Sequence, residues 1–300
     1  MPQIRDEGQI NDHTYLIDAV HEGMRRAHAV YLLKSGDGGT CLVDSGTKDS
    51  AKVIYQKLKR LGAWPVDRII FTHSHWDHTQ GIGYLRQKAK ADGHTLQVFA
   101  SERAVPYLAD QSYNVCFGTD QMPYLNIEDV QGLKGGQRIE IGAGLTVTVI
   151  DTPGHMVDHI SIWDESTGNV MVGDAIGMRW TDDLIVSNPN STFWSESDFL
   201  ESIDTLKSLG IRTIGLAHFG LITGDDARNF LNDTVDMYRK WMTVLSDHTD
   251  RIDDFPFLVK CLLEKAYGHL PDRLKELIQP GLMEAVEMAA VAYAKQHPAG

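Results

Sequence analysis

The stretch "FTHSHWDHTQG", residues 71–81, places His73, His75, Asp77 and His78 within six positions, directly behind an apolar run. A turn needs only a glycine or an asparagine, so imidazoles and a carboxylate at this density point to metal binding. In an extended segment side chains alternate, so His73 and His75 project to the same side and can share one ion. Asp77 and His78, at the entry to the next helix, point elsewhere and can begin a second site; a single four-ligand centre is the alternative. His155 in "DTPGH", Asp174 in "VMVGDA" and His218 in "GLAHFG" each follow an apolar run. Their small neighbours Gly154, Gly173 and Ala217 leave room for an ion to approach. Five histidines and two aspartates at separate strand ends form a set that packing alone does not readily produce.

The elements that must position these residues alternate along the chain. The runs "TYLIDA", "AVYLLK" and "TCLVDSG" read as strands separated by turn residues such as "SGDGG". In "DSAKVIYQKLKRLG" Ile54, Leu58 and Leu61 recur at helical spacing, with Gly62 where a helix would end. The strand "RIIFT" (68–72) then leads into the histidine cluster, which places the cluster at a strand's C-terminal end, where α/β proteins build their sites. A helix over "GIGYLRQKAKADG" and a strand over "LQVFA" follow, and 104–136 reads as irregular. The second half echoes the first: strands in "QRIEIGAGLTVTVIDTPGH", "HISIWDE" and "NVMVGDA", a helix in "SDFLESIDTLKSLG", and a strand in "IRTIGLAHFG". Such repetition predicts two sheets packed face to face with helices outside. Residues 225–300 read as helical, broken near Asp250–Pro256 and again at Pro271 and Pro280.

Asp44 in "LVDSG", the "HSHWDH" cluster, His155, Asp174 and His218 together resemble, in order, the five motifs of the metallo-β-lactamase superfamily, over about residues 10–224. The resemblance implies an α/β protein with an αββα sandwich, so residues 1–224 are expected to form the catalytic domain, and the helical residues 225–300, with no low-complexity linker before them, a C-terminal extension packed on it. It also implies that His73, His75 and His155 bind one metal, that Asp77, His78 and His218 bind another, and that Asp174 bridges them. Asp44 would orient a ligand histidine or its loop, and His159 in "HMVDH" would support the ligands from behind. Two divalent ions, zinc first with iron or manganese as alternatives, would sit about 3.5–4 Å apart and bring the pKa of a shared water from about 15.7 towards roughly 7. Asp77 is the residue expected to orient that water and handle its proton.

Composition limits the partners. The chain has 28 basic and 41 acidic residues, a net charge of -13, and no Lys/Arg cluster, which argues against nucleic acid as substrate. No uncharged run approaches the roughly 20 residues of a membrane helix, and the opening lacks a signal-peptide pattern, so a cytoplasmic protein is expected. Cys41, Cys116 and Cys261 are far apart, neither a disulfide framework nor a CxxC zinc site, so His and carboxylate must hold any metal.

Within the family, RNA-processing members act on polyanions, against which an acidic chain without a basic patch argues. Flavodiiron proteins carry a glutamate where His75 stands, and penicillin-degrading members are usually exported. The remaining branches resemble glyoxalase II, N-acyl-homoserine lactonases and quinolone-signal thioesterases. For a glutathione thioester, Arg251, Lys260, Lys265, Arg273 and Lys275 form no recognisable carboxylate-binding pattern, which weakens that branch and leaves it open. Trp76, Met156, Met178, Arg179, Trp180, Trp194 and Phe219 are candidates for a pocket that suits an apolar or aromatic group, with Arg179 available to an anionic substituent. The expected activity is hydrolysis of a small thioester, lactone or other ester. The alternatives are a mononuclear non-haem iron dioxygenase and a regulatory metal-binding protein with little turnover. Apolar stretches such as "FLVKCLLEKAYG" and "LMEAVEMAAVAYA" need covering by the core or by a second subunit, so a homodimer is a further expectation.

Overall fold

A computed structural model describes residues 3–117, 123–187, 189 and 193–297. The chain runs β1 (Gln3–Ile4), β2 (Gly8–Gln9), β3 (Thr14–Asp18), β4 (Ala29–Lys34), β5 (Thr40–Val43), α1 (Ala51–Arg60), β6 (Arg68–Ile70), α2 (Trp76–Thr79), α3 (Ile82–Ala91) and β7 (Gln97–Ser101). It continues through α4 (Val105–Ala109), β8 (Val130–Leu133), β9 (Arg138–Gly142), β10 (Leu145–Asp151), β11 (Ile160–Asp164), β12 (Asn169–Met171), β13 (Met178–Thr181) and β14 (Leu184–Val186). The remainder is α5 (Glu196–Ser208), β15 (Thr213–Gly215), β16 (Leu221–Thr223), α6 (Asp225–Asp247), α7 (Phe255–Lys265) and α8 (Asp272–Gln296).

Among the described residues two seven-stranded sheets form, in the orders β2-β3-β4-β5-β6-β7-β8 and β1-β16-β15-β12-β11-β10-β9. In the first, β5 to β8 are parallel, so their C-terminal ends share one edge. Period two explains why these strands are apolar throughout. On β4, Val30 and Leu32 pack with Ile54 and Leu58 of α1, while Tyr31 and Leu33 face Val147 and Ile160 of the opposite sheet. In the second sheet Val170 and Val172 meet Phe199 and Ile203 of α5, and Met171 turns to the inter-sheet core. The layers are therefore helix, sheet, sheet, helix, as expected.

Three details differ from the sequence reading. The stretch 104–136 contains α4, a 3₁₀ turn at Gln111–Phe117 and the edge strand β8; residues 118–122 of that stretch lie outside the described residues. The hairpin of β13 and β14 stands beside the two sheets. Helix α8 runs through Pro280, which was expected to interrupt it. A proline inside a helix removes one backbone bond and costs about 3 kcal/mol. Buried Ile278, Leu282 and Val286 on the flanking turns hold α8 against α6 and α7, which offsets that cost.

The expected breaks near Asp250–Pro256 and at Pro271 are observed as the α6–α7 and α7–α8 junctions. The apolar faces of α7 and α8 pack on α6 and on β14, so much of the covering they need comes from the chain itself, which removes part of the reasoning for a dimer. Among the described residues no helix is long and apolar enough to cross a membrane.

Candidate functional site

The strand ends bring the seven candidate ligands to one edge of both sheets. Beyond β6 the chain passes through His73 to His75, whose backbone caps α2, and α2 carries Asp77 and His78. His155 lies in the loop after β10, Asp174 after β12, and His218 between β15 and β16.

His73 Nε2 and His155 Nε2 each lie 3.0 Å from His75 Nδ1, so three buried imidazoles converge on one point. Asp77 Oδ2 lies 3.5 Å from His78 Nε2 and 3.7 Å from His218 Nε2, a second convergence. Asp174 stands between them, with Oδ2 at 3.3 Å from His218 Nε2 and 3.6 Å from His155 Nε2, and Oδ1 at 3.6 Å from His78 Nε2. Three imidazole nitrogens at one point, and two carboxylates with two imidazoles at the next, match the chemistry of divalent-ion ligation.

The electrostatics differ between the halves. Burial, reinforced by neighbouring imidazoles, pushes His73 and His75 well below the usual histidine range, so both present neutral lone pairs. Burial alone would raise the Asp77 carboxyl, but His78, His218 and His28 outweigh it and hold it low. Asp174 is held well below its usual range in the same way by His218 and His78, again against burial. For His78, burial is outweighed by Asp77, Asp174 and Asp44, which raise it well above its usual range. Any ion entering this half must displace that proton.

Two residues hold the ligands from behind. Asp44, at the end of β5 with φ 63°, is in a left-handed conformation that aspartate tolerates better than most residues. Its Oδ1 accepts from the Thr72 amide at 2.8 Å, and its Oδ2 from the Thr72 hydroxyl and His78 Nδ1, both at 2.9 Å. That fixes the His78 ring with Nε2 towards Asp77 and Asp174. His159 accepts the Asp174 amide at Nε2 (3.1 Å), so Nδ1 carries the proton donated to Thr152 Oγ1 (2.9 Å). Its ring stacks on His73 at 4.9 Å.

The glycines serve this support instead of opening a path for an ion. A Cβ on Gly173, at φ +50°, would lie 2.6 Å from His159 Nε2 and 2.8 Å from Thr72 Oγ1. On Gly154 it would lie 2.7 Å from the Phe199 backbone.

Five of the seven candidate ligands, His75, Asp77, His155, Asp174 and His218, line a cavity of about 550 Å³, within the range usual for small-molecule sites. Its wall is apolar, with Trp76, Met178 and Trp180 meeting Leu282, Ala285 and Met288 of α8. Arg5, Arg25 and Arg26 stand at its rim together with Glu22 and Glu284. Four of the seven pocket candidates lie elsewhere. Met156 is fully buried, Phe219 packs in the core between the sheets, and Trp194 stacks among Phe199 and Tyr238. Arg179 donates to the Asp182 carbonyl and lines a separate hollow with Asp226 and Asp233. Large aromatics next to ligand motifs are drawn into the core as readily as into a pocket, because burial stabilises them there by a similar amount.

Sequence reasoning also missed His28, the arginines of the β3–β4 loop and Asp158. His28, in "AHAVYLL", is a polar residue at the start of a wholly apolar strand, a signal present in the sequence. Asp158 is wholly buried, and neither oxygen makes a hydrogen bond of ordinary geometry among the described residues. Burial pushes its carboxyl from 3.8 up to about 6, with Ser74 and backbone amides pulling the other way. An acid whose pKa is raised on folding destabilises the fold when ionised. The penalty is absent below about pH 4, where both states hold the proton, grows between about pH 4 and 6, and is constant above. Asp158→Asn should therefore stabilise the protein by about 2–3 kcal/mol at pH 7.5 and by close to nothing at pH 4, read by urea unfolding. An equal difference at both pH values would contradict this.

The family model for the metallo-beta-lactamase superfamily matches residues 23–218. A hydroxyacylglutathione hydrolase of Ruegeria pomeroyi is 28% identical over 190 residues, 60% of this chain and 60% of that protein. Another, of Methylobacterium nodulans, is 26% identical over 177 residues, 57% of this chain and 60% of that protein. The chain thus spans about 60% of the length of these curated relatives. Among solved structures, a metallo-beta-lactamase family protein of Thermus thermophilus matches with a TM-score of 0.63 at 21% identity, over 96% of this chain and 95% of that one.

Proposed function

The chain belongs to the metallo-beta-lactamase superfamily, and from that premise we propose that it is a two-metal hydrolase of a small thioester, lactone or other ester with an apolar or aromatic group. The observation that carries this is the meeting of both ligand sets on Asp174 at the floor of an apolar cavity. The named relatives act on an acylglutathione, a thioester, which supports the ester-type bond.

His73, His75 and His155 would hold one divalent ion, Asp77, His78 and His218 the other, and Asp174 both, with zinc the first candidate and iron or manganese the alternatives. Such ions, when bound, make water nucleophilic at neutral pH and polarise the scissile carbonyl. The chain's own residues supply the rest. Asp77 has an oxygen facing the cavity side of the site and would take up and return the proton of the attacking water. Asp44 and His159 would keep His78 and Asp174 in place during that transfer. Trp76, Met178 and Trp180 would seat the apolar part of the substrate, and the wall from α8 would exclude bulk water. A one-iron dioxygenase needs only one half of this ligand set, and the approach of Asp77 to His78 and His218 beside the three-histidine cluster supports the two-ion reading.

The test is a panel of acyl thioesters, lactones and aryl esters of graded acyl length, assayed with the protein reloaded with Zn, Mn or Fe(II). Turnover that disappears with chelator and returns with metal is expected. Oxygen uptake with no hydrolysis, or no turnover from metal-replete protein, would overturn the proposal.

Two tryptophans give a sharper check on the pocket. Trp180 reaches the cavity and faces Gly281 of α8, so Trp180→Ala should raise KM for an apolar substrate about tenfold with little change in stability. Trp194, 6% exposed, should behave oppositely: Trp194→Ala should cost about 3 kcal/mol of stability and leave the KM of the folded protein near the wild-type value. Steady-state kinetics alongside urea unfolding separates the two.

A further inference from the structure

His28 is 1% exposed, and neither of its ring nitrogens makes a hydrogen bond among the described residues. Leaving a buried polar group unpaired costs about 1–3 kcal/mol, so the position calls for an explanation that a leucine or phenylalanine of similar size would not. The backbone holds the residue firmly. Its carbonyl accepts from the Ala19 amide at 2.9 Å, and the next amide, of Ala29, donates to the Ala217 carbonyl at 2.7 Å. The start of β4 is thereby tied to the loop that carries His218.

The ring is aimed at the second half of the centre. Its Nε2 lies 3.9 Å from Asp77 Oδ2, beyond hydrogen-bond range. The imidazole meets His78 edge-on at 5.0 Å and His218 at 5.3 Å between ring centroids. The nearest ligand atoms of His28, Asp77 and His78 all fall within 4.8 Å of one another, the same closeness that gathers His73, His75 and His155. A side chain that only positioned Asp77 would hydrogen-bond to it, and one that only filled space would have no need of nitrogens.

Resting on the two-ion proposal, we infer that His28 is an additional nitrogen donor to the ion held by Asp77, His78 and His218. The second half of the centre then offers three imidazoles beside its carboxylates, a nitrogen count equal to that of the first half. An added protein donor raises the ion's affinity and favours ions that accept a higher coordination number.

The experiment uses the full chain, stripped of metal and titrated with Co(II), whose visible ligand-field bands report coordination. A chromophoric chelator in competition reports affinity. Wild type and two variants are compared, His28→Phe, which keeps the ring volume, and His28→Ala, which serves if the first does not fold. The expected result is two binding steps in wild type. In the variant the band spectrum of one ion should change and its affinity fall about 10–100-fold, while the other step stays unaltered. Two unaltered steps in either folded variant would overturn the inference. Weakened binding with unchanged bands would also overturn it, because His28 would then act through Asp77 instead of on the ion. A wild type that binds only one ion would instead fail at the two-ion proposal beneath.

Discussion

Asp77→Asn is expected to lower kcat by about 10²–10⁴-fold, the range usual for loss of a group that transfers a proton in the reaction. The substitution preserves size and removes charge. The carboxylate it removes is half-buried at the cavity and faces His78, His218 and His28, which together hold it ionised against the cost of burial. Without that charge the second ion loses a donor, so its affinity should fall as well. The kinetic measurement is therefore made with ion content determined on the same sample. A kcat within about threefold of wild type at full metal loading would remove Asp77 from the chemistry. A biological effect that survived the loss of turnover would favour a regulatory role for the chain.

Asp44→Ala is the second large effect. One carboxylate accepts three hydrogen bonds, from the Thr72 amide, the Thr72 hydroxyl and His78 Nδ1. Alanine leaves those donors buried and unpaired, and it must also adopt φ 63°, where alanine is strained more than aspartate. A stability loss of about 3–5 kcal/mol is expected from breaking a buried, hydrogen-bonded charge pair. Second-ion affinity should drop about 10–100-fold because the His78 ring loses its orientation. Asp44→Asn should be milder in stability, since it keeps an acceptor and tolerates the left-handed backbone, yet still impair the ion. Thermal unfolding of metal-free protein and a metal titration read the two parts separately. Unaltered affinity in a folded Asp44→Ala chain would make Asp44 a turn residue only.

The gathering of the seven candidate ligands at one edge was legible because their chemistry is concentrated and their strands are short. "HSHWDH" compresses four donors into one turn, and His155, Asp174 and His218 each end an apolar run, which parallel and inter-sheet strands require. The αββα layering was legible for the same reason, since alternate residues of runs such as "AVYLLK" must face two different layers. What escaped depends on contacts distant in sequence. The continuation of α8 through Pro280 is decided by packing on α6 and α7, which overrides the local preference. That α8 walls the cavity follows from how it settles on the hairpin of β13 and β14, while Trp194 and Phe219 are drawn into two other cores. His28 lies far upstream of the cluster it faces and in no motif, so only the sheet brings it there.

The most direct test of the two-metal centre is elemental analysis of metal per chain on purified protein, beside Asp174→Ala. About two divalent ions per wild-type chain are expected, falling to one or fewer in the variant, because Asp174 faces both ligand sets. One ion or fewer in a wild-type chain that hydrolyses its substrate at full rate, or two ions retained by Asp174→Ala, would contradict the two-metal account.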